Sequence, residues 1–197
     1  MAILNTTKFL RVRAGLGLLC LLALATTLAV KSSVFAADYS EHEIKAAYLY
    51  KFSEYVEWPK EVFPDDNAPF TIGILGTDPF GSVIDDAVKE KKAQGRSIVI
   101  KRATAPKELT ECQMVFVGPS EDSQMKESLS AFEGRGVLTV GESGEFMQQG
   151  GMIRFVLVEN NVRFEINVDS AHKAGLKISS QLLKLAKTVH AEGGGKE

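Results

Sequence analysis

The chain contains few of the side chains that most catalytic and metal sites require. Of its two cysteines, Cys20 lies in the apolar N-terminal segment, so Cys112 has no partner for an internal disulfide in the rest of the chain. The three histidines, His42, His172 and His190, are far apart, and none belongs to a recognised nucleophile or zinc-protease motif. We therefore expect no catalytic residues, no metal ion, no cofactor and no enzymatic activity, and we interpret Cys112 as a small buried hydrophobe.

Beyond residue 36 the chain has no apolar run of the roughly 20 residues that cross a bilayer. The N-terminus does have one uncharged apolar run, residues 15–30, which three basic residues precede: Lys8, Arg11 and Arg13. Val34 and Ala36 then supply small residues at a signal-peptidase site. This pattern predicts that residues 1–36 are a cleavable signal peptide. An uncleaved membrane anchor is the alternative, for which the apolar run is short.

Basic residues are too few for a nucleic-acid-binding surface. Residues 1–36 carry four basic and no acidic side chains, so the remainder has 19 basic against 25 acidic side chains and a net charge of −6. We expect such a protein to bind neither nucleic acid nor anionic lipid, and not to insert into the membrane after cleavage. We predict one domain over residues 37–190, a flexible tail over 191–197, and a periplasmic location in a Gram-negative bacterium.

Apolar residues recur with helical and strand periods throughout the region after residue 40. The pattern predicts helices over residues 41–57, 78–92, 120–132 and 169–189. It predicts strands over residues 70–75, 97–101, 113–117 and 137–140, and a hairpin of strands 152–158 and 162–168 around Asn160-Asn161. Ser40 and Glu43 form a capping-box pattern at the first helix, and Asp169 or Ser170 is expected to cap the last. We therefore predict an α/β fold: a single compact domain with a mostly parallel central sheet, a C-terminal antiparallel hairpin and helices packed on both sides.

The predicted hairpin carries most of the candidate partner-binding residues. In its second strand Arg163, Glu165 and Asn167 alternate with apolar residues and so share one polar face, beside Arg154 of the first strand. A rigid hairpin beside a sheet edge offers a flat platform to another protein. Trp58, which lies near several tyrosines, is the candidate aromatic anchor. We predict partner contacts at these five residues. A solvated outer face is one alternative, and a buried ion pair of Glu165 with Arg154 or Arg163 is another.

Four segments carry a more specific signature. They are Ala46-Ala47-Tyr48-Leu49-Tyr50-Lys51-Phe52 running into Val56-Glu57-Trp58-Pro59, Gly150-Gly151-Met152-Ile153, Arg163-Phe164-Glu165-Ile166-Asn167, and Ala174-Gly175-Leu176-Lys177-Ile178-Ser179-Ser180 with the leucines that follow. In their order and spacing these segments resemble the YfiR family over nearly all of the chain after residue 36. The resemblance implies a compact α/β regulator that is not an enzyme and that forms a homodimer.

The resemblance also implies a function and a partner. Family members bind the periplasmic domain of an inner-membrane signalling protein, with a diguanylate cyclase as the favoured partner. Bound, such a regulator represses the cyclase; released, it lets cyclic di-GMP rise, and biofilm formation follows. A sensor subunit for a membrane histidine kinase is an alternative.

The residues alone leave two further classes of function open. One is a periplasmic small-ligand binding protein that uses the carboxyl edge of the sheet near residues 76–81, where α/β folds often bind ligands. The other is a hydrolase whose site has no recognised motif. A deep pocket would favour the first, and clustered groups with perturbed pKa values would favour the second.

The predicted signal peptide has a direct test. Protein recovered from the periplasm is expected to begin at Ala37, because the small residues Val34 and Ala36 place the cut there. Intact-mass measurement and N-terminal peptide sequencing of the periplasmic fraction check this. Full-length chain found only in the cytosol would contradict both the signal peptide and the periplasmic location.

Overall fold

A computed structural model describes residues 39–191 of the chain. The predicted signal peptide, residues 1–36, lies outside the described residues, as does all of the predicted tail except Ala191. Within residues 39–191 the chain forms one α/β domain around an eight-stranded, mostly parallel sheet, with a separate two-stranded antiparallel ribbon. The predicted fold class is confirmed.

The elements follow one another along the chain in this order. The strands are β1 (Val56–Glu57), β2 (Phe70–Leu75), β3 (Lys92–Ala93), β4 (Arg96–Ala103), β5 (Met114–Val117), β6 (Leu138–Gly141), β7 (Ile153–Val158), β8 (Asn161–Asn167), β9 (Lys177–Ile178) and β10 (Thr188–His190). The helices are α1 (Glu41–Tyr55), α2 (Ser82–Val88), α3 (Met125–Ser130), α4 (Val168–Lys173) and α5 (Ser180–Leu185).

The large sheet has the strand order β10-β8-β7-β6-β5-β2-β4-β3 among the described residues. Its central strands β2 and β5 are apolar except for Thr71, as expected for parallel strands covered on both faces. Alternate side chains of β5 enter separate cores: Met114 and Phe116 pack beneath α1 and α2, while Val115 and Val117 pack beneath α3. Helices therefore cover both faces of the sheet, as predicted.

The first helix begins with the predicted capping box. The Ser40 hydroxyl accepts a hydrogen bond from the Glu43 backbone N–H at 3.3 Å, and the Glu43 carboxylate accepts one from the Ser40 backbone N–H at 2.7 Å. The helix ends at Tyr55, two residues before the predicted end at 57. Val56 and Glu57 form strand β1 instead, which pairs with β9.

The predicted closing helix over residues 169–189 is wrong. Helix α4 ends after one and a half turns because Gly175 adopts φ +78°, and the Gly175 and Leu176 N–H groups bond to carbonyls of the last turn at His172 and Ala171. A second short helix, α5, follows a Ser179 cap, and the chain then extends into β10 along β8. The cap of α4 is Asn167, whose side chain accepts from the Ser170 N–H; Asp169 and Ser170 do not cap it.

Other boundaries move for local reasons. The predicted helix from Asp78 begins instead at Ser82, because the Asp78 carboxylate accepts the Phe80 and Gly81 N–H groups in a turn. The predicted helix over 120–132 begins as a 3₁₀ helix and becomes α-helical at Met125. The hairpin turn lies one residue earlier than predicted: Glu159 and Asn160 have φ +50° and +61°.

The carboxyl ends of β2 and β5 pack closely against each other. The loop after β2 donates its Thr77 N–H to the Ser120 hydroxyl at 2.9 Å, and the Gly118 N–H donates to the Leu75 carbonyl at 2.9 Å. A Cβ atom added at Gly118 would lie 2.4 Å from the Thr77 carbonyl oxygen and 2.8 Å from that of Leu75. Glycine is therefore required at 118 for space between two backbones.

Replacing Gly118 with alanine is expected to destabilise the domain by about 2 kcal/mol or more, because the added methyl group meets backbone atoms that cannot rotate away. Gly144→Ala is the matched control, since a Cβ atom there meets nothing within 4 Å, and it should change stability by less than about 0.5 kcal/mol. Urea unfolding of both variants measures the difference. Equal stabilities would contradict the close approach of the two loops.

Candidate functional site

The β7–β8 hairpin places Glu165 in an ion-paired cluster. Arg154 and Glu165 are opposite each other in the antiparallel register, and the Arg154 Nη2 donates to the Glu165 Oε2 at 2.6 Å. Glu165 is only 6% exposed. Lys187 Nζ and His190 Nε2 of the closing segment lie 3.6 Å and 3.9 Å from its carboxylate oxygens. Of the sequence-based alternatives, the structure therefore contains the buried ion pair, and Glu165 is not part of an exposed row.

Arg154 connects the hairpin to the loop after β6. Its Nη1 donates to the Gly144 carbonyl at 2.8 Å, while its Nη2 holds Glu165. Its buried Nε has no hydrogen-bond partner among the described residues. The Arg154 guanidinium thus joins strand β8 to the loop after β6, and these contacts hold the hairpin in place.

The two other members of the predicted polar row have different surroundings. Asn167 is half-buried and uses its side-chain oxygen to cap α4 at 3.0 Å. Arg163 is exposed and lies opposite Val156. Beside them, β10 forms the edge of the described sheet, and its three residues are all exposed. The structure therefore leaves Arg163 and the β10 edge as the accessible part of this face.

Trp58 lies in the core. It is 8% exposed, its indole N–H donates to the Gln113 carbonyl at 2.8 Å, and its ring meets that of Phe70 edge-on at 4.9 Å. The Gln113 side chain in turn accepts from the Thr71 N–H and donates to the Val62 carbonyl. The indole is therefore buried and joins the segment after α1 to the amino ends of β2 and β5, and a contact of Trp58 with a partner stays a prediction.

The polar groups of the loop over residues 76–81, which was considered as a small-ligand site, form hydrogen bonds and ion pairs within the domain. The Asp78 carboxylate accepts two backbone N–H groups and pairs with Arg102, whose guanidinium also pairs with Asp85. These hydrogen bonds to Asp85 and Asp78 raise the pKa of Arg102. The charged groups here therefore hold the loop and α2 against Arg102 of β4.

Metal-ligating side chains are not clustered within residues 39–191. No group of three or more His, Cys, Asp or Glu side chains in this region is arranged to hold a metal ion. Cys112 is 4% exposed, as predicted, and burial raises the pKa of its thiol to about 11.

The buried Lys45 amine pairs with the carboxylates of Glu142 and Glu41. Burial alone would lower the pKa of Lys45, but the interactions with the two carboxylates outweigh that effect, so the pKa is raised.

A groove between α1 and α2 is the feature that sequence reasoning missed. It has a volume of about 530 Å³ and a mainly apolar lining. Its walls are Tyr39, Glu43, Ile44, Ala47, Tyr48 and Lys51 on the α1 side and Val83, Asp86 and Ala87 on the α2 side. The available sequence signal was the apolar set Ile44, Ala47 and Tyr48 on one side of α1, of which the structure leaves Ala47 exposed and the other two half-buried.

These features define a small α/β domain that combines an ion-paired hairpin at one sheet edge with an apolar groove between two helices. A family model described as YfiR/HmsC-like matches residues 42–187. The chain therefore belongs to the YfiR/HmsC-like family, as the sequence resemblance implied. Members of this family are periplasmic, regulatory and non-catalytic, and they belong to signalling by cyclic di-GMP.

Two solved structures share the fold. A conserved domain protein from Vibrio cholerae O1 biovar El Tor matches with a TM-score of 0.53 and 12% identity, over 78% of this chain and 61% of that one. The ABC domain in complex with L-Trp from Streptococcus pneumonia matches with a TM-score of 0.50 and 13% identity, over 74% and 60%. This chain thus covers about three fifths of each of those proteins, and at these identities the likeness concerns the fold alone.

Among the helices of the described region, none has the length and apolarity that crossing a membrane requires.

Removing the Glu165 charge is expected to destabilise the domain strongly. Glu165→Gln keeps the shape but leaves Arg154 without its carboxylate, which we expect to cost about 3 kcal/mol. Arg163→Gln, on the same strand but exposed, is the control and should cost less than about 0.5 kcal/mol. Urea unfolding measures both. A loss below about 1 kcal/mol in Glu165→Gln would show that the ion pair does not hold the hairpin.

Proposed function

We propose that this protein is a periplasmic repressor that binds the periplasmic domain of an inner-membrane diguanylate cyclase and holds the cyclase inactive. The observation that carries the proposal is the family match over residues 42–187, which extends across nearly all of the described domain. The domain boundaries support it: the matched region begins a few residues after the proposed cleavage site at Ala37.

The contact surface proposed for the cyclase is the hairpin surface, which consists of Arg163, Asn167 and strand β10. An edge strand presents backbone N–H and C=O groups to which another chain can add, and an exposed guanidinium beside it sets register and charge preference. Arg154 and Glu165 support this surface from beneath, since their ion pair joins β7 to β8 and brings β10 alongside. Trp58 contributes only through the stability of the core.

Repression then follows from unequal binding to two states of the cyclase. A regulator that binds the inactive state about 100-fold more tightly than the active state shifts the equilibrium by about 2.7 kcal/mol. A few charged and backbone contacts on a rigid strand are sufficient for a difference of this size. The rigidity of the hairpin matters because a surface that reorganised on binding would lose part of this preference.

The test is Arg163→Glu in the organism that produces the protein. Deletion of the gene is expected to raise the cellular cyclic di-GMP concentration. Reintroducing the wild-type gene should return that concentration to its original level. The Arg163→Glu gene should restore at most about half of the wild-type repression, because the variant reverses a charge at the proposed contact while leaving the fold intact. The measurement is cyclic di-GMP by mass spectrometry, beside thermal unfolding of the purified variant.

Lys92→Glu is the matched control, since it makes the same charge change on β3 at the opposite edge of the sheet. It should repress like the wild type. Unchanged cyclic di-GMP in the deletion strain would contradict the proposed function. Full repression by Arg163→Glu would contradict the proposed surface while leaving the function standing.

A further inference from the structure

Helix α1 presents a charged stripe along the apolar groove. Glu43, Ala47 and Lys51 each line the groove and each are exposed. They are spaced by four residues, so they follow one another along one side of the helix about 6 Å apart. A small residue thus lies midway between an acidic and a basic one, on the wall of a groove whose other lining residues, apart from Asp86, are apolar or aromatic.

This stripe is complementary to itself when it is reversed. If a second α1 runs antiparallel and the two-fold axis passes at Ala47, the Glu43 side chain of each copy lies level with Lys51 of the other. Two opposite-charge pairs form, one on each side of the axis. The Ala47 methyl group at the crossing point lets the two helices approach closely, so that Ile44 and Tyr48 contact the groove of the other copy.

The present partners of these charges do not prevent the arrangement. Lys51 pairs with Glu54 at 2.8 Å on an exposed surface, a kind of contact that contributes little to stability. Glu43 uses one carboxylate oxygen, Oε2, for its contacts with Ser40, which leaves Oε1 for a cation of the second copy. The Lys51–Glu54 pair therefore gives way at small cost, and the capping box remains intact.

We propose that the α1–α2 groove is the interface between two copies of this chain, packed as antiparallel α1 helices about a two-fold axis at Ala47. The occupant is a second copy because the charge order Glu43, Ala47, Lys51 matches its own reverse, and Ile44 and Tyr48 beside the stripe of one copy face the mainly apolar groove of the other. This interface lies apart from the hairpin surface and does not depend on the proposed repression of a cyclase.

Disulfide trapping tests the position of the axis. Ala47→Cys brings two thiols together only if position 47 of one copy meets position 47 of the other. Cys112 does not compete, because it is buried and burial raises its pKa to about 11. Protein purified from the periplasm is oxidised briefly with copper phenanthroline and analysed on a non-reducing gel. We expect most of Ala47→Cys to run as a dimer and the wild type to remain monomeric on the gel.

Lys126→Cys is the matched control, since position 126 is exposed on α3 against the opposite face of the sheet. It should cross-link at least about tenfold more slowly than Ala47→Cys. Equal rates for the two variants, or no cross-linking of Ala47→Cys, would overturn the proposed axis.

Charge exchange tests the pairing. By sedimentation equilibrium, Lys51→Glu should raise the dimer dissociation constant about tenfold, since it turns both attractive pairs into repulsive ones. The double variant Glu43→Lys/Lys51→Glu should restore dissociation to within about threefold of the wild type, and Lys126→Glu should leave it unchanged. Circular dichroism confirms that each variant is folded. A monomeric wild type at about 100 μM, or a Lys51→Glu variant that dimerises as tightly as the wild type, would overturn the proposal.

Discussion

The buried carboxylate of Glu165 joins the separate segments of the C-terminal third of the domain. It pairs with Arg154 across the hairpin, and the segment entering β10 brings Lys187 and His190 within 4 Å of the same group. The Lys187 backbone N–H also donates to the Phe164 carbonyl, one residue before Glu165. A carboxylate taken out of water needs such partners, and a closing strand anchored beside it supplies them. The position of the sheet edge therefore depends on this charge.

Local patterns predicted the elements whose causes are local. Strand β2 runs from Phe70 to Leu75 as expected, because an apolar β-rich run between turn residues has no competing interpretation. The capping box at Ser40 is likewise complete within four residues of sequence. The parallel sheet followed from the alternation of such segments, which is why the fold class was accessible from the sequence alone.

The errors have non-local causes. The apolar residues after Gly175 fit one helix face, but Gly175 in the left-handed region ends α4 before them. The chain then forms β9, which pairs with β1, the short helix α5, and β10, which pairs with β8. Trp58 was expected at the surface because its partner, the Gln113 carbonyl, is 55 residues away in the sequence. The burial of Glu165 depends on β10, which periodicity had assigned to a helix. In each case the deciding contact joins segments that no local pattern relates.

Strand β8 lies between the two proposed surfaces. Successive side chains of a strand point to opposite faces, so Phe164 packs against the Tyr48 ring at 5.2 Å, while Arg163 on the other face belongs to the hairpin surface and Glu165 supports that surface from beneath. Tyr48 in turn lines the α1–α2 groove. One strand thus supports the groove from one face and the hairpin surface from the other. A second copy in the groove would approach the face of the sheet opposite to Arg163, so a dimer built this way leaves both of its hairpin surfaces open to membrane partners.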